Sequence, residues 1–128
     1  MAVDALCNLY TGSITATGSA GTAFDLKTMT PLEGLPVKIR INGGAATTTA
    51  KTLTISITAS DDNFSTTAET LFSKIYTIST TANSSNFEDV FTIVSQHRYL
   101  RVEAPTFSAS ITTAAAISVD IVSGRHNP

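Results

Sequence analysis

Apolar and polar side chains alternate along several short stretches of this chain. The clearest lie at residues 36–42, 52–60 and 117–122, where every second residue is aliphatic. A period of two places the aliphatic side chains on one face of a β-strand and the polar ones on the other. The inward positions that this alternation predicts include six aliphatic residues, Ile39, Ile55, Ile57, Leu100, Val102 and Val119. The pattern therefore predicts strands with one buried face and one solvent-facing face.

Further strands are predicted on the same grounds at residues 13–17, 22–26, 71–79, 90–95, 98–104 and 107–111. Turn-forming residues separate them at intervals of about 8–12 residues, which is typical of an antiparallel sandwich or barrel. Asn42, Gly43 and Gly44 predict a turn, because glycine adopts positive φ at little cost. Residues 45–51 then form a loose loop, and residues 67–74 have room for one helical turn. The fold expected is all-β, with roughly eight short strands in one antiparallel β-sandwich.

Composition supports a folded chain with an unusual surface. Of the 128 residues, 42% are hydrophobic, which argues against disorder and fits one domain over residues 1–128. Only 14% are charged, against about 25% in ordinary globular proteins. The solvent-facing strand positions are largely threonine and serine, as in residues 52–60. We therefore expect an adhesive surface of hydroxyl and methyl groups.

The net charge and the N-terminal sequence limit the kinds of binding partner and the cellular location that we expect. The formal net charge is −2, so the chain lacks the basic surface that nucleic-acid binding needs, and no direct nucleic-acid partner is expected. Asp4 stands where a signal peptide would carry basic and then apolar residues, and the aliphatic runs are too short to cross a membrane. Cys7 is the single cysteine and is interpreted as a small buried residue. The sequence thus predicts synthesis in the cytosol, with no membrane partner.

Candidates for catalysis are few. The chain has two histidines, six aspartates and four glutamates, and neither His97 nor His126 stands where a nucleophile and a carboxylate would hold an imidazole. His97 is interpreted as a turn or strand-edge residue. Residues 61–63 offer oxygen ligands for a hard cation, but a turn that ends the preceding strand is the favoured interpretation. No enzyme activity, metal or cofactor is expected.

The best candidates for contact with a partner lie at residues 98–102. Tyr99 and Arg101 alternate with Leu100 and Val102, so they share the solvent-facing side of that strand. Tyrosine and arginine are enriched at protein interfaces. The alternative is an ordinary wet sheet face, in which Arg101 pairs with a cross-strand acid among the neighbours of Glu103.

The order of several short segments along nearly the whole chain supports a comparison with a known protein family. They are MAVDAL at residues 1–6, ITAT at 14–17, DL at 25–26, GLPV at 34–37, TLTISI at 52–57, SDD at 60–62, FS at 64–65 and RYLRV at 98–102. In this order the chain resembles the small capsid cement (decoration) proteins of tailed phages, which have a jelly-roll fold. The resemblance implies a jelly-roll-like sandwich, made in the host cytoplasm and located in the virion on the capsid exterior.

The resemblance also implies partners and a role. The protein would bind the major capsid protein, bridge coat subunits, and associate with itself as a homodimer or homotrimer. Residues 1–10 and 124–128 are expected to form an arm and a tail that order against a neighbour, and Arg125 joins Tyr99 and Arg101 as a predicted interface residue. The alternatives are a receptor- or carbohydrate-binding module of a phage tail or fibre, and an enzyme on a cupin-like scaffold. The chain has no tryptophan on which a sugar ring could stack, which argues against the sugar-binding module. It has only two histidines, whereas a cupin-like enzyme needs several to bind its metal.

Overall fold

The computed structural model describes residues 8–25, 35–66, 68–81, 86–94 and 97–122, and in these ranges the chain forms strands and connections without a helix. Nine strands follow one another: β1 Asn8–Ile14, β2 Phe24–Asp25, β3 Leu35–Ala45, β4 Lys51–Ser60, β5 Glu69–Ile78, β6 Phe87–Ile93, β7 Tyr99–Val102, β8 Thr106–Phe107 and β9 Thr113–Ile121. Accordingly, the described part of the chain contains no helix with the length and apolar character needed to cross a membrane.

The strands form two antiparallel sheets. The first has the order β1-β9-β3-β6, and the second has the order β2-β7-β4-β5, with the two-residue strand β8 also paired to β4. Except for the β4 to β5 hairpin and the short β8, each strand is followed by one in the opposite sheet. This order is that of a jelly roll, so the predicted all-β sandwich is confirmed.

The core lies between the two sheets. All six aliphatic residues that the alternation placed inward are fully buried: Ile39, Ile55, Ile57, Leu100, Val102 and Val119. Each contributes about 1.5–3 kcal/mol by leaving water. The inner rows of β3 and β9 face those of β4 and β7, and they join one continuous hydrophobic cluster. The period-two pattern therefore identified the buried faces correctly.

The predicted turn at Asn42–Gly44 is wrong. Strand β3 continues to Ala45, and Asn42 and Gly43 pair with Ala116 and Ala115 of β9. Gly43 and Gly44 have φ values of 74° and 79°, so the positive φ that suggested a turn instead bends a continuing strand. The following residues are not loose throughout, because Ala45 and Ala46 are buried against the core.

Other local predictions also need correction. The strand predicted at residues 13–17 ends at Ile14, and the one predicted at 107–111 is the two-residue β8. A helical turn was suggested at residues 67–74, but from Glu69 onward this segment is strand β5, which pairs with β4. Part of the predicted N-terminal arm lies in β1, where Leu9 is buried and Tyr10 pairs with Val119. Leu9 packs into the core and β1 pairs with β9, so these residues are ordered within the chain itself and need no neighbouring protein. Residues 1–7 of the arm and the predicted tail at 124–128 lie outside the described residues.

The two ends of the sandwich are held differently. At one end, which we call the backbone-linked end, the connections after β1, β3, β5 and β7 meet. Five backbone N–H to C=O hydrogen bonds of 2.8–3.0 Å join them: Gly18 to Pro105, Gly21 to Val102, Ala46 to Ser79, Ile111 to Thr15 and Thr112 to Ala45. At the other end, which we call the ion-pair end, Asp25, residues 61–66, Glu69 and residues 97–98 meet through their side chains. The candidate site lies at this second end.

Candidate protein-binding surface at the ion-pair end

Strand β7 carries the two interface residues that the sequence predicted within the described part of the chain. Leu100 and Val102 are buried, whereas Tyr99 and Arg101 are half-buried on the outer face of the second sheet. Arg101 pairs with Thr58 of β4 and Tyr99 pairs with Ser60. The alternation at residues 98–102 was therefore interpreted correctly. Arg125 lies outside the described residues.

Arg101 is held by two neighbours, Phe64 and Glu103. Its guanidinium group lies 4.1 Å from the centre of the Phe64 ring, within the range of a cation–π contact. It also donates to Glu103 Oε2 at 3.2 Å, and Thr58 Oγ1 donates to the same oxygen at 2.6 Å. The alternative interpretation expected a cross-strand acid among the neighbours of Glu103, but the acid that pairs with Arg101 is Glu103 itself, two residues along the same segment. Side chains two residues apart in an extended segment emerge on the same face. Arginine, phenylalanine and tyrosine together form a firm patch on this face.

The Phe64 ring is presented by a tight turn of unusual backbone geometry. Asn63 and Phe64 have φ values of 57° and 64°. This region is ordinary for asparagine but costly for a bulky residue such as phenylalanine. The buried Ser60 hydroxyl accepts hydrogen bonds from the N–H groups of Asp62 and Phe64, both at 3.1 Å. The strained conformation is therefore tied to the end of β4, and it places the ring against Arg101.

Asp62 locks the same turn from its other side. Its carboxylate accepts hydrogen bonds from Ser60 Oγ at 2.6 Å and from Thr66 Oγ1 at 2.5 Å. These hydrogen bonds, with Ser60 the larger contributor, lower the pKa of Asp62 to about 2, because they favour the charged form. The favoured interpretation of residues 61–63 as a turn that ends the strand is confirmed. Within the described ranges, no group of three or more histidine, cysteine or acidic side chains is arranged to hold a metal ion.

His97 ties this turn to strand β5. Its Nδ1 lies 3.0 Å from Asp61 Oδ2, and its Nε2 lies 2.8 Å from Glu69 Oε1. The hydrogen bond to Asp61, followed by that to Glu69, raises the pKa of His97 above its usual value. The protonated ring donates from both nitrogens. Because both nitrogens are engaged by carboxylates, neither is placed to accept a proton from a hydroxyl, and the arrangement favours a structural role.

Arg98 extends the network to the neighbouring strand. Its guanidinium group forms a two-pronged pair with Asp25 of β2, with distances of 2.8 and 2.9 Å, and lies 5.2 Å from the centre of the Tyr99 ring. Its backbone N–H donates to Asp61 Oδ1 at 3.2 Å. Sequence reasoning missed these ties, because their partners lie between 28 and 73 residues away. Only the strand order brings them together.

A shallow depression of about 350 Å³ lies beside these ties, lined by Ser60, Asp61, Asp62, Thr66, Glu69 and His97 together with Ala59 and Ala68. Its polar side chains hold one another in the hydrogen bonds and ion pairs just given. The ion-pair end is therefore a rigid polar surface, flanked by the patch of Phe64, Tyr99 and Arg101. No protein-family model and no curated protein matches this chain.

Proposed function

We propose that this protein is a structural virion protein that binds the outside of a tailed-phage capsid and stabilises it by bridging subunits of the major capsid protein. The observation that carries most weight is the strand order. The resemblance described above implies a jelly roll, and the two sheets have that order. A fold alone does not define a function, so the proposal also depends on a surface.

The surface that supports this function is the patch of Phe64, Tyr99 and Arg101. It combines Tyr99 and Arg101 on the outer face of the second sheet with the Phe64 ring of the 61–66 turn, which lies against Arg101. Aromatic residues and arginine are enriched at protein interfaces. Its members are held in place before any partner binds, so little conformational entropy is lost on docking. One such contact is modest, but a capsid repeats it at every symmetry-related position, and multivalency then multiplies the gain in stability.

The test is reconstitution on capsids. Heads of the phage that encodes this chain are stripped of the protein, and wild-type or variant protein is added back. We expect wild-type protein to sediment with the heads and to raise the temperature at which DNA is released. Arg101→Ala should weaken rebinding about tenfold, which corresponds to about 1.4 kcal/mol.

The matched control is Arg40→Ala. Arg40 is also a partly exposed arginine in an ion pair, with Glu88 at 3.8 Å, but it lies on the outer face of the other sheet. The Arg40→Ala variant should rebind to heads as the wild type does. Stripped heads that withstand heat as well as decorated heads would refute the cement role. Normal rebinding of a variant that lacks residues 124–128 would remove Arg125 from the interface.

A further inference from the structure

Strand β6 has an unusual composition for its position. It pairs with β3 alone among the described strands, so its other side is an open edge of the first sheet. Its inner row packs on the core, yet Val90 is 64% exposed and Val94, directly after the strand, is 58% exposed. Strands that are apolar on both faces are normally covered on both, and an open edge offers unpaired backbone groups to another strand.

The apolar segment of β6 and the residue after it form a nearly palindromic sequence. Residues 90–94 are Val, Phe, Thr, Ile and Val, symmetric in character about Thr92. In a two-fold antiparallel pair centred on Thr92, Val90 lies opposite Val94 of a second copy, Phe91 opposite Ile93, and Thr92 opposite Thr92. Every pair then has its side chains on the same face of the sheet. A second copy of this chain supplies the complementary sequence that such an interface requires.

The charges of β6 are compatible with this register. Glu88 and Asp89 precede the symmetric segment, so the acidic residues of the two copies lie at opposite ends of the pair. The inward-pointing carboxylate of Asp89 already pairs with Lys74 at 2.9 Å and accepts a hydrogen bond from Tyr76 at 2.7 Å. An added strand therefore leaves no unpaired charge at the edge, although inward charges often protect edges from pairing. A register centred on Asp89 would instead oppose two carboxylates.

We propose that β6 is a dimerisation edge, at which a second copy adds its own β6 antiparallel in the register centred on Thr92. The two four-stranded sheets then form one eight-stranded sheet across the two-fold axis. A five-residue strand pair buries less than the roughly 1,200 Å² at the lower limit of stable interfaces. The dissociation constant should therefore be on the order of micromolar or weaker. The inference concerns the free protein and stands apart from any binding to capsids.

Sedimentation velocity over a range of concentrations tests this edge. The wild type should shift from monomer to dimer as concentration rises, and Thr92→Lys should stay monomeric, because it places two like charges at the axis. The control is Ser13→Lys, an exposed outer-face position on β1 at the opposite edge of the same sheet, and it should dimerise as wild type does. Circular dichroism and melting temperature confirm that each variant is folded. A monomeric wild type at the highest concentrations, or a Thr92→Lys variant that dimerises normally, would overturn the proposal.

Cross-linking tests the register. The Val90→Cys and Val94→Cys variants are made separately in a Cys7→Ser background. A mixture of the two should form a disulfide-linked dimer on oxidation, because the register places residue 90 opposite residue 94. Either variant oxidised alone should form little of this dimer. Ser13→Cys should not cross-link. Efficient cross-linking of Ser13→Cys, or assemblies that grow beyond two copies, would contradict a closed β6 interface.

Discussion

At both ends of this sandwich the connections between strands are joined to one another, but the two ends use different interactions. At the backbone-linked end, N–H and C=O groups of separate connections bond one another. At the ion-pair end, the links run through the side chains of Asp25, Asp61, Glu69, His97 and Arg98. Backbone bonds have no titratable group, whereas the ion-pair links depend on pH and on salt. The second end is therefore the one whose stability solution conditions can tune.

The difference also concerns recognition. The backbone-linked end exposes mainly hydroxyl side chains, such as those of Thr15, Thr17 and Thr47, while the ion-pair end carries a patch of aromatic and charged groups beside Arg101. An end built from side chains can be altered by single substitutions without changing the strand order. We therefore expect binding variants to arise at the ion-pair end, and folding variants in the core and at the backbone-linked end.

The largest effect should come from the core that both ends share. Ile55→Ala should lower the free energy of unfolding by about 2–5 kcal/mol, because it empties a fully buried aliphatic site. The control Thr54→Ala changes the neighbouring residue on the outer face and should cost far less. Denaturant unfolding of both variants measures the difference. An Ile55→Ala curve that overlays the wild type would mean that the two ends are not joined by this core.

An intermediate effect is expected where β3 enters the backbone-linked end. Gly44 has a φ of 79°, and a Cβ there would lie 3.2 Å from the Cβ of Ala115. Gly44→Ala should therefore cost about 1–3 kcal/mol, mainly through backbone strain. Asn42→Ala, two residues earlier on an exposed part of the strand, is the matched control. Equal unfolding midpoints for the two variants would show that the bend at Gly44 is not needed.

The smallest effect should appear at the ion-pair end and should depend on pH. Because folding raises the pKa of His97 above 6.5, its stabilising contribution is fully present below that value and is lost as pH rises through the folded pKa. The pairs are partly exposed, so the contribution is at most about 1 kcal/mol. The difference in unfolding free energy between wild type and His97→Gln should shrink as the pH is raised from 6 to 8. A difference that grows over this range would reverse the assigned sign.

The sequence was informative where the physics is local. Period-two alternation identified the buried rows, such as Ile55 and Ile57, because side chains on a strand alternate regardless of what the strand pairs with. It misjudged Gly43 and Gly44, since positive φ serves both a turn and a bend within a continuing strand. It also could not pair His97 with Asp61 and Glu69, because no local pattern reports which strand ends meet. Tyr99 and Arg101 were found by alternation, but the Phe64 ring beside Arg101 was not.

The most direct test of the proposed capsid role is a cryo-electron microscopy reconstruction of intact heads of the tailed phage that, on this proposal, encodes the chain. We expect jelly-roll density on the outer surface, spanning the joints between coat subunits, with β7 and the 61–66 turn against the shell. Heads whose outer surface is bare at those joints, or protein found at the tail alone, would contradict it.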